Sequence, residues 1–244
     1  MPHLLHRFRC ISYDAPGHGL TPAPPTLSFE SHLDEIDAVV DHFGLPRDRL
    51  ALIGASFGGA VAVWYAGLRG GGRAVVGVDS APMTEHLGLW PPPDLPDRGR
   101  DEWLALGLGG SGDQAWYDAR VAELVGDGEP EAMVRRAIRW GPDGRYHAHP
   151  SADLLTALGR LGSRPDNPMV RVLETYARLE RPTLLLCATR GLAASNREFV
   201  DAMPDRYPGL QVTWLDGPHT LSFSLPDVVA GHVVRFLGSL PDHS

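Results

Sequence analysis

Leu50-Ala51-Leu52-Ile53-Gly54-Ala55-Ser56-Phe57-Gly58-Gly59-Ala60-Val61-Ala62-Val63-Trp64 is the stretch on which the fold turns. Leu50 to Gly54 is a short apolar run of strand length, and Ala60 to Leu68 is a helix-forming run with almost no polar face. Between them stands Gly54-Ala55-Ser56-Phe57-Gly58. The pattern G-x-S-x-G is common by chance, but directly after a strand and directly before a helix it describes a nucleophile elbow. The turn has to be tight enough to lift the Ser56 hydroxyl clear of the sheet edge. Side chains at the flanking positions would collide with the neighbouring strand and helix, so glycine is needed there. The helix that follows aims its first N–H groups at the site, where they can stabilise an oxyanion, the Phe57 N–H among them.

Outward from this stretch, short apolar runs alternate with helical patterns, the signature of a parallel sheet with crossover helices. Arg7 to Tyr13 reads as a strand, followed by the turn-rich Asp14-Ala-Pro-Gly-His-Gly19. Phe29 to Phe43 reads as a helix, with Phe29, Leu33, Ile36, Val40 and Phe43 on one face, Ser28 as its cap, and Gly44 and Pro46 stopping it. Ala74 to Asp79 is a third strand. From Pro82 to Arg181 the alternation lapses: Pro91-Pro92-Pro93 and Gly107 to Gly112 look like linkers, and Trp103, Trp116 and Trp140 sit in short helical patterns such as Glu131 to Trp140. It resumes with strands at Thr183 to Ala188 and Leu210 to Leu215 and helices at Asn196 to Met203 and Asp227 to Leu237. The expected class is α/β: a mostly parallel sheet with flanking helices, its core over 1–81 and 182–244, interrupted by a helical insertion over 82–181.

Composition narrows the chemistry. The 244 residues are 43% apolar and 21% charged, enough for a core. A formal charge of −8 gives no general attraction for nucleic acid or an anionic membrane. All 22 basic residues are arginine, so mechanisms that need a lysine amine, such as a Walker A loop or a pyridoxal Schiff base, are excluded. Arginine without lysine also suggests a GC-rich bacterial genome. Two cysteines, Cys10 and Cys187, form neither a zinc site nor a disulfide framework, and both are expected as buried free thiols. Leu50 to Leu68 carries no charge and has the length of a membrane span, but Gly54, Gly58, Gly59 and Gly67 interrupt it and the strand-turn-helix reading prevails. Met1 to Cys10 lacks the pattern of a signal peptide, so a cytoplasmic protein is expected.

A nucleophilic serine needs a base. His219 lies in Leu215-Asp-Gly-Pro-His219-Thr, between the last strand and the last helix, on the sheet edge where the elbow also emerges. His18 reads as a turn residue, and His147 and His149 as surface or pocket residues of the insertion. The acid is less direct. The order should be Ser, acid, His. The strand at Thr183 to Ala188 continues Thr189-Arg-Gly-Leu-Ala-Ala-Ser-Asn196, without a carboxylate, whereas the preceding strand ends at Val78-Asp79-Ser80. Asp79 is therefore the leading acid, with an ordinary strand-end Asp as the alternative, ahead of Glu198 and Asp201, which sit in a helix.

With these residues in view the chain resembles the α/β-hydrolase fold family, in its cap-bearing serine-hydrolase branch. Four segments carry the resemblance: Tyr13-Asp-Ala-Pro-Gly-His-Gly-Leu-Thr21, the elbow, Arg181-Pro-Thr-Leu-Leu-Leu186, and Gly217-Pro-His-Thr-Leu221 followed by Pro226 and the last helix. The resemblance implies Ser56 as nucleophile, His219 as base, the Phe57 amide in the oxyanion hole and the insertion as a helical cap. It also implies two departures. Gly191 stands at the usual acid position, and relatives that place the acid one strand earlier match Asp79. The family also has two or three strands and a His-Gly loop before the Tyr13-Asp14 segment, where this sequence has 12 residues. That loop supplies the other oxyanion donor, whose loss would cost about 3 kcal/mol, roughly a hundredfold in rate.

The leading function is acyl hydrolysis of an ester, thioester, lactone or related carbonyl through Ser56, His219 and Asp79. No metal or organic cofactor is implied. The partner is a small, apolar molecule, with neither nucleic acid nor membrane called for. Serine at the elbow argues against dehalogenase and epoxide hydrolase chemistry, which use a carboxylate there. The alternatives are a non-catalytic or truncated hydrolase-like protein, and an acyltransferase on the same fold.

Overall fold

A computed structural model describes residues 2–19, 21–22, 24, 26–81, 99–162 and 172–241. In chain order the elements are α1 (Phe29–His42), β1 (Ala51–Ala55), α2 (Phe57–Arg69), β2 (Ala74–Val78), α3 (Arg100–Ala105), β3 (Ser111–Gly112), α4 (Gln114–Gly126), α5 (Glu131–Ala137), β4 (Ile138–Trp140), β5 (Tyr146–Ala148), α6 (Ala152–Gly162), α7 (Val172–Ala177), β6 (Thr183–Arg190), α8 (Arg197–Asp201), α9 (Met203–Arg206), β7 (Leu210–Pro218), α10 (Leu221–Ser224) and α11 (Pro226–Ser239). The chain separates into two compact units, one of residues 1–12, 33–89 and 168–244, the other of 13–32 and 90–167.

The first unit holds a four-stranded sheet in the order β1-β2-β6-β7, parallel throughout. β2, and β6 from Leu184 to Ala188, are apolar and buried because both faces of a parallel sheet are covered there. Odd and even positions go opposite ways. Val75, Leu185 and Cys187 pack with Ala62, Val63 and Ala66 of α2 and with Val200 and Met203. Val76, Val78, Leu184, Leu186 and Ala188 pack with Leu221 and with Val229, Ala230, Val233 and Phe236 of α11. α2 buries Trp64 and Tyr65 as well, which explains its lack of a polar face. Ser28 Oγ accepts the Ser31 N–H at 3.0 Å and caps α1. Asp37 ties α1 to α2, accepting from the Tyr65 hydroxyl at 2.7 Å, from Arg47 at 2.7 Å and from Arg69 at 2.6 Å.

The second unit contains α3 to α6 and a three-stranded antiparallel sheet in the order β3-β5-β4. A small core of Val121, Val134 and Ile138 joins α4, α5 and β4.

Several expectations change. Arg7 to Tyr13 forms no ladder among the described residues; Arg7 and Phe8 turn back on the Leu4 carbonyl, and Phe8 and Cys10 pack by their side chains alone. Phe43 leaves the apolar face of α1 and lies 43% exposed under Arg9. The Glu131 to Trp140 helix stops at Ala137, because Ile138-Arg-Trp pairs with Tyr146–Ala148 instead. Asn196 to Met203 breaks into two short helices, since Pro204 has no N–H to continue the first. Gly107 to Gly112 is packed rather than a loose linker: a Cβ on Gly109 would meet Ala152 N at 2.0 Å. Pro91-Pro92-Pro93 lies outside the described residues. Cys187 is buried and Cys10 half-buried, both as thiols. Among the described residues no helix is long and apolar enough to cross a membrane.

Candidate active site

β1 runs to Ala55, and the chain reverses at Ser56 with φ 51° and ψ −124° before α2 begins. A non-glycine residue in this region costs about 1–3 kcal/mol and persists only where its surroundings impose it. Here they do. Ser56 N–H donates to the Val78 carbonyl at 2.9 Å, and the Ser56 carbonyl accepts from Gly59 at 3.0 Å. The steric expectation holds for one of the two flanking glycines: a Cβ on Gly54 would stand 2.2 Å from the Gly58 carbonyl carbon and oxygen, whereas one on Gly58 would meet nothing within 4 Å, and the second close approach falls instead on Gly59, whose Cβ would stand 2.2 Å from Ser80 Oγ. The Phe57 N–H is the first amide of α2, at the positive end of the helix dipole.

Three side chains meet at the carboxyl ends of the strands. His219 Nε2 lies 3.0 Å from Ser56 Oγ. His219 Nδ1 lies 2.6 Å from Asp79 Oδ2. Asp79 follows β2 with φ 44°, a second left-handed non-glycine residue, and its side chain is wholly buried while that of His219 is 37% exposed. The carboxylate also accepts the Ala188 N–H on Oδ1 at 2.9 Å and the Leu192 N–H on Oδ2 at 3.0 Å. An ionised carboxylate only accepts. With an ionised carboxylate, the bond at Nδ1 requires the imidazole proton there and leaves the Nε2 lone pair facing the serine.

Gly191 belongs to this arrangement. A Cβ there would fall 2.1 Å from Asp79 Oδ2, so the space for a side chain at 191 is the space that the Asp79 carboxylate fills. In the sequence, the only trace of the two backbone donors and of this close approach is the glycine in the Thr189–Asn196 turn.

The other titratable residues fall elsewhere. Asp201 accepts from Trp214 Nε1 at 2.6 Å, and neither it nor Glu198 has a bond to His219. His18 Nδ1 lies 3.1 Å from the Pro16 carbonyl in its own turn. His147 pairs with Asp143 at 2.8 Å. Burial, then the neighbouring Arg139 and His147, lowers the His149 pKa. Burial, reinforced by the charges of Asp79 and Asp201, pushes the Cys187 thiol up to about 12, so it is no rival nucleophile.

A proline iminopeptidase from Pestalotiopsis fici is 36% identical over 59 residues, which are 24% of this chain and 21% of that protein. The chain thus spans far less than two thirds of that relative. Among solved structures, E-2-(acetamidomethylene)succinate hydrolase superposes with a TM-score of 0.67 at 20% identity, covering 93% of this chain and 80% of that one. The enol-lactonase from Burkholderia xenovorans LB400 gives 0.63 at 20% identity over 93% and 80%. At such identities the likeness is one of fold. The model of the alpha/beta hydrolase family matches residues 1–232, and the chain belongs to that family.

Proposed function

We propose that the protein is a serine hydrolase that cleaves an ester, thioester, lactone or related acyl compound through a covalent acyl-enzyme. The observation that carries this reading is the unbroken line of hydrogen bonds from Ser56 Oγ to His219 and from His219 to Asp79, at 3.0 and 2.6 Å. In this reading Ser56 Oγ attacks the acyl carbon as His219 Nε2 takes its proton. The oxyanion is held by the Phe57 N–H at the start of α2, where donors already aligned stabilise the developing charge most. Collapse expels the leaving group, which takes the proton back from His219. A water molecule then repeats the sequence on the acyl-serine, its proton passing to His219 and returning to Ser56. Asp79 holds the imidazole tautomer and balances the charge on the imidazolium. The core is assigned to 1–81 and 182–244, and the inserted region to 82–181. The substrate is a small apolar molecule, and the enzyme acts in the cytoplasm.

The test is turnover of a short chromogenic ester, p-nitrophenyl acetate or butyrate, by the wild type and by Ser56→Ala and His219→Ala. Each variant should lose at least about a thousandfold in kcat while staying folded. Near-normal turnover by either would refute its assigned role.

A further inference from the structure

The sheet becomes irregular just before it delivers His219. β6 and β7 pair without interruption from Thr183 opposite Leu210 to Ala188 opposite Leu215, then resume with Arg190 opposite Pro218. One residue of β6, Thr189, therefore faces two of β7, Asp216 and Gly217. This is a β-bulge, which disrupts the ladder and re-aims the chain beyond it. What lies beyond is Pro218 and then His219.

Thr189 fills the irregularity. Gly217 N–H donates to Thr189 Oγ1 at 3.3 Å, and the same hydroxyl donates to Asp216 Oδ1 at 3.0 Å. Hydrogen bonds from Thr189 and then Arg190 hold the Asp216 carboxyl below the usual carboxylate range. The Asp216 side chain is 84% exposed, so its ion pair with Arg190 contributes little. The bond from the bulge amide to the hydroxyl is half-buried, and it is the one that fixes backbone. The preceding residue, Ala188, donates its N–H to Asp79 Oδ1 at 2.9 Å. Two consecutive residues of β6 thus hold the acid and the segment that carries the base.

We propose that Thr189 is a positioning residue whose hydroxyl locks the β7 bulge and so aims His219 at Ser56 and Asp79. This rests on the catalytic reading of those three residues. Thr189→Val removes the hydroxyl at nearly constant volume, and Thr189→Ser keeps it. On p-nitrophenyl acetate, Thr189→Val should lose about 10- to 100-fold in kcat with little change in KM, the scale of a misplaced catalytic group. Thr189→Ser should stay within about threefold of wild type. Hydrogen exchange at the Gly217 amide should accelerate in the Val variant and not in the Ser variant. Wild-type kcat in Thr189→Val, or equal losses in both variants, would overturn the proposal. If the wild type itself neither turns over the ester nor labels at Ser56 with a fluorophosphonate, the catalytic reading fails. The bulge lock is then judged on Gly217 exchange and on a crystal structure of Thr189→Val. Unchanged exchange, with Nδ1 of His219 still 2.6 Å from Asp79 Oδ2, would overturn it.

Discussion

Gly191→Ala adds one methyl group to the turn after β6 and should disable the site from its far side. The backbone at Gly191 is not left-handed, so alanine brings no conformational strain of its own. The new Cβ would stand 2.1 Å from Asp79 Oδ2 and 2.6 Å from Cγ and Oδ1. Contact between carbon and oxygen needs more than about 3 Å, so the carboxylate must retreat by about 1 Å. It has little room to do so, because Ala188 N–H, Leu192 N–H and His219 Nδ1 hold it at 2.9, 3.0 and 2.6 Å. A displacement of 1 Å in a catalytic group costs about a hundredfold, and loss of tautomer control by the acid costs about ten-thousandfold. The expected fall in kcat lies between these limits, with KM nearly unchanged. Weakening the bonds of a buried carboxylate should also cost about 1–3 kcal/mol, or about 2–12 °C in Tm for a chain of this size. Ester turnover and calorimetry on the same preparation read both quantities. A folded Gly191→Ala protein with wild-type kcat would refute the claim that Asp79 orients His219 from this position.

Other perturbations have equally definite outcomes. Asp79→Asn keeps the shape but offers His219 an amide, and kcat should fall by about ten-thousandfold with Ser56 still present; unchanged turnover would remove Asp79 from the mechanism. Gly54→Ala puts a Cβ 2.2 Å from the Gly58 backbone, which cannot rotate away, so stability should drop by about 1–3 kcal/mol and activity should be lost; a stable, active variant would contradict the elbow geometry. Burial, with the charge of His18 second, lowers the His32 pKa to about 4. Between the unfolded value of about 6.5 and this one the unfolded chain binds more protons, so stability present above pH 6.5 should fall by about 3 kcal/mol as the pH drops to 4. Denaturant titrations should show that slope in the wild type and its absence in His32→Leu; identical slopes would show that His32 is not its source.

The legible parts of this fold are those whose signal is local. β2 and the stretch of β6 from Leu184 to Ala188 could be read because strand segments buried on both faces are apolar. α1 and α11 could be read from their periodicity, and the elbow from Gly54 and Ser56 between a strand and a helix, although the crowded glycine on the helix side is Gly59 and not Gly58. The small sheet of β3, β4 and β5 has strands of two or three residues, too short for any period, and exists only because the pieces pair. Arg7 to Tyr13 has strand-like composition, but a strand needs a ladder as well. At the site, Asp79 was accessible by elimination, since the next turn carries no carboxylate. The reason for that gap, the collision at Gly191, depends on two backbones 112 residues apart in sequence and is invisible before folding. The bulge at Asp216 and Gly217 is likewise a matter of register, which neither strand reveals alone.

Catalysis as proposed requires Ser56, His219 and Asp79 to act as one unit. Its most direct test is the rate of fluorophosphonate labelling, with the modified residue located by peptide mass mapping. The wild type should be labelled at Ser56 alone. Ser56→Ala should take up no label, and His219→Ala and Asp79→Asn should react at least about a hundredfold more slowly, since the serine then lacks its oriented base. Labelling of Ser56→Ala, or undiminished labelling of Ser56 in folded His219→Ala, would contradict it.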